Sequence, residues 1–117
     1  MSLTRKQRLS RKRRKRVRAA DNDLSEEQWQ MILRAWEGKC AYCGAVKADL
    51  QKDCVLPISR GGSYTIRNVV PACRSCNASK SNSEVTAWMR RKKMDEPRFL
   101  ETWVKAAADV IAMAAPK

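Results

Sequence analysis

Two pairs of cysteines constrain the fold of this chain more than any other feature. Cys40 and Cys43 form one Cys-x-x-Cys knuckle, and Cys73 and Cys76 form a second one, with 29 residues between Cys43 and Cys73. Two thiolates at this spacing can reach one ion from a single turn, and two such pairs complete the tetrahedron of a structural zinc site. The pattern therefore predicts a Zn²⁺ staple without an open coordination position; a redox dithiol is the alternative.

The chain is 117 residues long, which is enough for one domain with a small core. Domains of this size often need a stabilising metal. Five cysteines, arranged as two close pairs plus Cys54, fit metal ligation in a reducing compartment better than disulfides. We see no apolar stretch typical of a signal peptide or of a membrane span, so a soluble cytoplasmic protein without a membrane partner is expected.

The positive charge is concentrated at the N-terminus. The formal net charge is +13, yet residues 21–117 contribute only +3 of it. We expect residues 1–20 to form a separate arm that is disordered, or helical when bound, and that binds nucleic-acid phosphates; a solubilising or nuclear-localisation tail is the alternative. Its basic residues are Arg5, Lys6, Arg8, Arg11, Lys12, Arg13, Arg14, Lys15, Arg16 and Arg18.

Residues 21–117 have the pattern of one mixed domain. Ser25 and Gln28 match a capping box that opens a helix, and Gly38 is placed to end it. The core segment 40–80 should contain a strand at 52–57, a Gly-Gly turn, a returning strand at 64–70 and a helix from about residue 74.

Two further helices are predicted within residues 83–115. One should begin near Ser83, and the other should follow a break at Pro97. The inward face of the last helix is predicted from its spacing of apolar side chains. These are Phe99, Leu100, Trp103, Val104, Ala107, Val110 and Ile111.

Residues 40–80 resemble the HNH endonucleases, specifically the small zinc-stapled type common in bacteria and their phages. The resemblance rests on Cys40-x-x-Cys43, on Asp53-Cys54-Val55-x-Pro57-x-Ser59-Arg60-Gly61-Gly62, and on Asn68-Val69-Val70-Pro71-Ala72-Cys73-Arg74-Ser75-Cys76-Asn77-x-x-Lys80. It implies an α+β fold in which a ββα-metal hairpin-helix motif carries a structural zinc held by four cysteines. Amphipathic helices and the basic N-terminal arm would flank this motif.

The resemblance also implies roles for individual residues. Asp53 and Asn77 would hold a catalytic Mg²⁺ or Mn²⁺, and Asn68 would orient the general base. Lys80 would lie near the scissile or an adjacent phosphate. Arg60, like the arm, would bind DNA, mostly through the phosphate backbone. Cys54 occupies the position of the general base.

Cys54 is where the chain departs from the family, which has a histidine at this position. The chain contains no histidine at all. An ordinary thiol is only about 3% thiolate at pH 7, and its sulfur is a weak hydrogen-bond acceptor. Tyr64 is a possible substitute acid or base, although its ordinary pKa is far from neutrality. Three explanations stay open: an introduced substitution that silences the nuclease, natural decay to a binding module, and a working variant.

The sequence therefore predicts a metal-dependent DNA endonuclease that hydrolyses phosphodiester bonds and is impaired by Cys54. The alternative is a non-catalytic, zinc-stapled DNA-binding module derived from such a nuclease. The charge by itself would also suit an RNA- or ribosome-associated zinc protein. The resemblance implies the cytoplasm of a bacterium or of a phage-infected host.

Overall fold

The computed structural model describes residues 23–114 of the chain; the predicted basic arm lies outside them. Within this part, a two-stranded antiparallel hairpin is combined with α-helices, which confirms the α+β class. The elements are α1 (Glu26–Ala35), β1 (Gln51–Cys54), β2 (Val69–Ala72), α2 (Arg74–Lys80), α3 (Val85–Arg91) and α4 (Glu96–Ala114).

Helix α1 begins with the predicted capping box. Ser25 Oγ accepts a hydrogen bond from the Gln28 amide at 3.1 Å, and Gln28 Oε1 accepts one from the Ser25 amide at 3.0 Å. The helix ends at Ala35, after which Glu37 and Gly38 both have positive φ angles. Capping satisfies amide groups that a helix terminus would otherwise leave unpaired, so both helix boundaries follow from local sequence.

The hairpin strands are shorter than the sequence predicted. β1 pairs with β2 in a register that places Asp53 opposite Val70 and Cys54 opposite Val69. The returning strand predicted from residue 64 is wrong over most of its length, since β2 begins only at Val69. The Asn68 and Val69 amides both donate to the Thr65 carbonyl, so a local turn uses the donors that a longer ladder would need.

Helix α4 begins earlier than expected. The Arg98 amide donates to Asp95 Oδ1 at 3.1 Å, which caps the helix, and Pro97 lies inside the first turn rather than in a break. A proline is tolerated there because its missing N–H would have no intrahelical partner. The inward placement predicted for Val104 is wrong, because its side chain is 69% exposed and Ala106 is buried instead.

An aromatic cluster joins the helices to the first cysteine knuckle. The Tyr42 ring packs edge-on against Trp88, with centroids 5.1 Å apart, and lies 5.2 Å from the Phe99 ring. Arg98 Nη2 donates to the Tyr42 carbonyl oxygen at 3.1 Å, and Trp103 Nε1 donates to the Arg67 carbonyl oxygen at 2.9 Å. Helices α3 and α4 therefore hold the knuckle and the hairpin loop in place. Among residues 23–114, no helix combines the length and apolar character needed to cross a membrane.

Candidate metal centre and active-site cleft

The four paired cysteines form one cluster. Their Sγ atoms all lie within 4.8 Å of one another, and those of Cys43 and Cys73 are 3.8 Å apart. Zn–S bonds of about 2.3 Å in a tetrahedron require S–S edges of about 3.8 Å. The predicted clustering is therefore confirmed, and the cluster has the dimensions to hold a metal such as zinc.

Backbone contacts build each half of this cluster. In the first knuckle, the Cys40 amide donates to the Ala45 carbonyl at 2.8 Å, and Gly44 adopts a φ of 78° that favours glycine. In the second, Cys73 Sγ caps α2 by accepting from the Cys76 amide at 3.4 Å. The Ala41 amide donates to the Pro71 carbonyl at 2.8 Å, which ties the first knuckle to β2.

Proximity makes four ionised thiols unfavourable without a cation. Burial raises the pKa of the Cys76 thiol, and the hydrogen bond with Cys73 and the neighbouring Cys40 and Cys43 add to this effect. Burial also raises the pKa of Cys43. At Cys73 burial acts in the same direction, but hydrogen bonds from Cys76 and the other thiols outweigh it and lower the pKa. A bound cation would relieve this repulsion and favour the thiolate forms.

An open cleft of about 730 Å³ runs beside β1 and α2. Asp53 and Cys54 at the end of β1 and Asn77 on α2 all line it, so the structure brings three of the predicted site residues together. The other lining residues include Gln51, Lys52, Tyr64, Arg74 and Asn82. Asn68, Lys80 and Arg60 do not line this cleft.

Asp53 is held by two buried donors. The Tyr42 hydroxyl donates a hydrogen bond to Asp53 Oδ2, and Lys80 Nζ lies 3.2 Å from the same oxygen. Lys80 also donates to the Cys54 carbonyl oxygen at 3.1 Å, and its side chain is almost completely buried. This placement differs from the expected position beside a phosphate, because the buried carboxylate of Asp53 takes the ammonium as its counter-ion.

Cys54 and Tyr64 lie in surroundings that disfavour ionisation. Burial and the nearby Asp53 carboxylate raise the pKa of the Cys54 thiol to about 11, although Lys80 opposes this shift. Cys54 Sγ contacts the Ser63 carbonyl oxygen at 3.9 Å. Burial, followed by Cys54 and Asp53, also raises the pKa of Tyr64. Both groups therefore carry their protons at neutral pH.

Asn68 closes the loop between the strands. Its Oδ1 accepts from the Leu56 amide at 2.8 Å, and its Nδ2 donates to the carbonyl oxygens of Leu56 and Ser63, both at 2.9 Å. Gly62 permits this close packing, since a Cβ there would lie only 1.7 Å from the Leu56 oxygen. Asn68 thus reaches Cys54 through the Ser63 carbonyl rather than directly.

Asn77 and Arg60 are positioned by amide and carbonyl partners. Asn77 Nδ2 donates to Gln51 Oε1 at 2.8 Å, which leaves Asn77 Oδ1 for a cation in the cleft. Arg60 is exposed and donates from Nε to the Asn82 carbonyl at 2.9 Å. The basic residues predicted to bind nucleic acid in the arm lie outside the described residues.

Sequence reasoning missed two residues of this region. Tyr42 contacts Asp53, and Arg74 contributes a cation to the cleft. Tyr42 lies between the first two cysteines and Arg74 lies between the last two, so their positions inside the knuckles were the available signal.

Comparisons with known proteins agree with this geometry. The family model described as HNH endonuclease matches residues 40–93, which contain the cysteine cluster, the hairpin and α2. A relative from Bacillus subtilis (strain 168), named "SPbeta prophage-derived putative HNH endonuclease YoqL", is 28% identical over 95 residues. This alignment covers 68% of the chain but only 40% of the relative's length. No solved structure matches the chain.

Proposed function

We propose, from the premise that residues 40–93 belong to the HNH endonuclease family, that the chain is a divalent-metal-dependent DNA endonuclease weakened by Cys54. One observation carries this proposal: Asp53, Cys54 and Asn77 line one open cleft next to a closed four-cysteine cluster. The cluster stabilises the fold, and the cleft performs the chemistry.

The donor set of the cleft suits a hard cation. Asp53 offers a carboxylate oxygen and Asn77 an amide oxygen, which are ligands that Mg²⁺ and Mn²⁺ prefer to sulfur. A bound Mg²⁺ or Mn²⁺ would polarise the phosphate and stabilise the departing oxygen. The two residues leave most of the coordination shell to water and substrate. The cysteine cluster, with its soft ligands, is instead assigned to structural Zn²⁺.

Cys54 occupies the place from which a base would remove a proton from the attacking water. A general base works best with a pKa near the operating pH, and histidine meets this condition without tuning. A buried, protonated thiol does not, and its sulfur is a weak acceptor for a water proton. Loss of a general base costs about 10²–10⁴ in rate, so metal-dependent cleavage would be slow rather than absent.

DNA binding would come from cations at several places. Lys52 and Arg74 line the cleft, and Arg60 lies on the 3₁₀ turn Ile58–Arg60 nearby. The basic residues of the arm would add contacts to the phosphate backbone. Removing residues 1–20 should lower the affinity and flatten its dependence on salt, because each phosphate contact contributes a slope of about 0.9 in log K against log salt. An unchanged slope would contradict this role of the arm.

Plasmid cleavage tests the proposed activity. The chain is compared with its Cys54→His variant in Mg²⁺ and in Mn²⁺, with Cys54→His/Asp53→Asn as the matched control. We expect the histidine variant to cut about 10²–10⁴ times faster than the native chain and the control not to cut. Equal cleavage by the native chain and the Cys54→His variant would show that another group serves as base.

Cys54 itself favours a second function, a non-catalytic zinc-stapled DNA-binding module. In that case neither the native chain nor the Cys54→His variant would cut, although both would bind DNA tightly. A gel-shift titration beside the cleavage assay separates this outcome from a protein that neither binds nor cuts.

A further inference from the structure

We propose that Tyr42 is a positioning residue for the cation site in the cleft. Its hydroxyl and the Lys80 ammonium hold one carboxylate oxygen of Asp53, so that the other oxygen is presented to a divalent metal. This inference rests on the proposed function, because it takes Asp53 as a metal ligand.

Two donors contact the same carboxylate oxygen of Asp53. Tyr42 Oη and Lys80 Nζ both donate to Oδ2, and both donor side chains are almost completely buried. Two fixed donors on one oxygen prevent the carboxylate from rotating about its last torsion. Oδ1 is then the oxygen available to a cation in the cleft that Asp53 lines. Partners of this kind orient metal ligands, and their loss typically weakens metal binding about 10–100-fold.

Tyr42 is itself fixed by its surroundings. Its ring packs between those of Trp88 and Phe99, and its carbonyl oxygen accepts a hydrogen bond from Arg98. It also lies between Cys40 and Cys43, so the knuckle that would bind zinc carries the hydroxyl that orients Asp53. The structural metal would thereby set the geometry of the catalytic one.

Replacing Tyr42 by phenylalanine tests this role because the variant keeps the ring and removes only the hydroxyl. Mn²⁺ binding to the zinc-loaded full chain is measured by following free Mn²⁺ with electron paramagnetic resonance. An Asp53→Asn variant identifies the binding that depends on the cleft. We expect Tyr42→Phe to raise the Kd of this site about 10–100-fold while zinc content stays the same.

Ser79→Ala is the matched control. Ser79 Oγ accepts a hydrogen bond from Trp88 Nε1 at 3.0 Å, and Trp88 packs against the Tyr42 ring. This variant also loses one hydrogen bond beside the same aromatic cluster, but it does not touch Asp53. We expect its Mn²⁺ affinity to match that of the native chain.

A second measurement uses cleavage in the Cys54→His background. Added to that variant, Tyr42→Phe should raise the Mg²⁺ concentration for half-maximal rate and leave kcat at saturating Mg²⁺ nearly unchanged. A loss of stability alone would not produce this separation between half-saturation and kcat.

Several outcomes would overturn the proposal. If Tyr42→Phe binds Mn²⁺ as tightly as the native chain while Asp53→Asn does not, the positioning role fails and the proposed function stands. If the native chain shows no Asp53-dependent Mn²⁺ binding, both fail together. Equal losses in Tyr42→Phe and Ser79→Ala, or a Tyr42→Phe protein that no longer folds, would make Tyr42 a purely structural residue.

Discussion

The cysteine cluster and the cleft are built on the same hairpin, yet they differ in what the protein supplies. The cluster brings four soft ligands within 4.8 Å of one another, which fills a tetrahedral shell. In the cleft, one oxygen of Asp53 is already engaged by Tyr42 and Lys80. A shell completed by protein can only stabilise the fold, whereas a shell left mostly open can admit water and a phosphate.

The two regions also differ in how their charges are balanced. At the cluster, burial and then the neighbouring thiols raise the pKa values of Cys43 and Cys76, so an added cation is needed for all four thiols to be deprotonated together. At the cleft, the counter-ion of Asp53 is Lys80, whose Nζ lies 3.2 Å from Asp53 Oδ2 and belongs to the chain itself. The cleft should therefore keep its shape without a divalent metal, while the cluster should not keep its shape without zinc.

The largest expected effect is at the cluster. Cys76→Ser should unfold the domain, because structural zinc contributes about 10–16 kcal/mol in zinc-finger peptides, which matches or exceeds the whole stability of a typical small domain. Zinc content and far-ultraviolet circular dichroism measure the outcome.

Cys54→Ser is the control for that prediction, since it also removes a buried thiol but lies outside the four-cysteine cluster. It should keep both zinc and fold. A stable, zinc-free Cys76→Ser protein would contradict the prediction that the cysteine cluster, unlike the cleft, needs a metal to keep its shape.

A smaller effect is expected at Asp53. Asp53→Ala leaves the buried Lys80 ammonium and the Tyr42 hydroxyl without their partner and should lower the free energy of unfolding by about 3–5 kcal/mol. Zinc should be retained. Urea denaturation at constant free zinc measures the change.

The double variant Asp53→Ala/Lys80→Met sharpens this test. It removes both charges and should recover much of the lost stability, because an apolar pair needs no counter-ion. If the double variant is as unstable as the single one, the ion pair is not the source of the cost.

A substitution in the loop beside the cleft should lower the free energy of unfolding still less. Asn68→Asp keeps the size of the side chain but turns a donor toward the carbonyl oxygens of Leu56 and Ser63 into an acceptor. We expect a loss of about 1–3 kcal/mol in urea denaturation with full zinc occupancy. Zinc loss in this variant would mean that the loop and the cluster are not independent.

The smallest effect is expected at the start of α3, where Glu84 belongs neither to the cysteine cluster nor to the residues that line the cleft. Glu84 caps α3 by accepting from the Thr86 and Ala87 amides, and these bonds lower its pKa. Glu84→Ala should cost about 1 kcal/mol at neutral pH. Because the folded pKa is the lower one, this contribution is complete above the unfolded pKa and disappears as the pH falls through the folded pKa.

Paired urea denaturation of the native chain and Glu84→Ala at several pH values measures this contribution. The difference should stay constant from pH 8 to about 5.5 and shrink at lower pH. Zinc release in acid affects both proteins alike and cancels in the comparison. A difference that grows in acid would contradict the cap.

The sequence predicted those features that depend on neighbours in the chain. The capping box at Ser25 and the helix carrying Asn77 follow from short-range spacing, and the four-cysteine cluster follows from two short-range pairs whose soft ligands suit one shared metal. The prediction of a returning strand from residue 64 was wrong, because the Asn68 and Val69 amides donate to the Thr65 carbonyl and close a turn there instead. The prediction that Val104 faces inward was wrong. The buried face of α4 is narrower than the set of its apolar residues, and Val104 lies outside that face.

The sequence by itself determined which residues the site contains: the two cysteine pairs, the hairpin motif, and Cys54 where the HNH endonucleases that the motif resembles have a histidine. Only the tertiary structure decided which groups are in contact. Lys80 became a buried partner of Asp53, and Tyr42 reached the same carboxylate from the cysteine knuckle. The physical reason is that burial makes an unpaired carboxylate costly, so its donors come from whichever parts of the chain packing brings within reach.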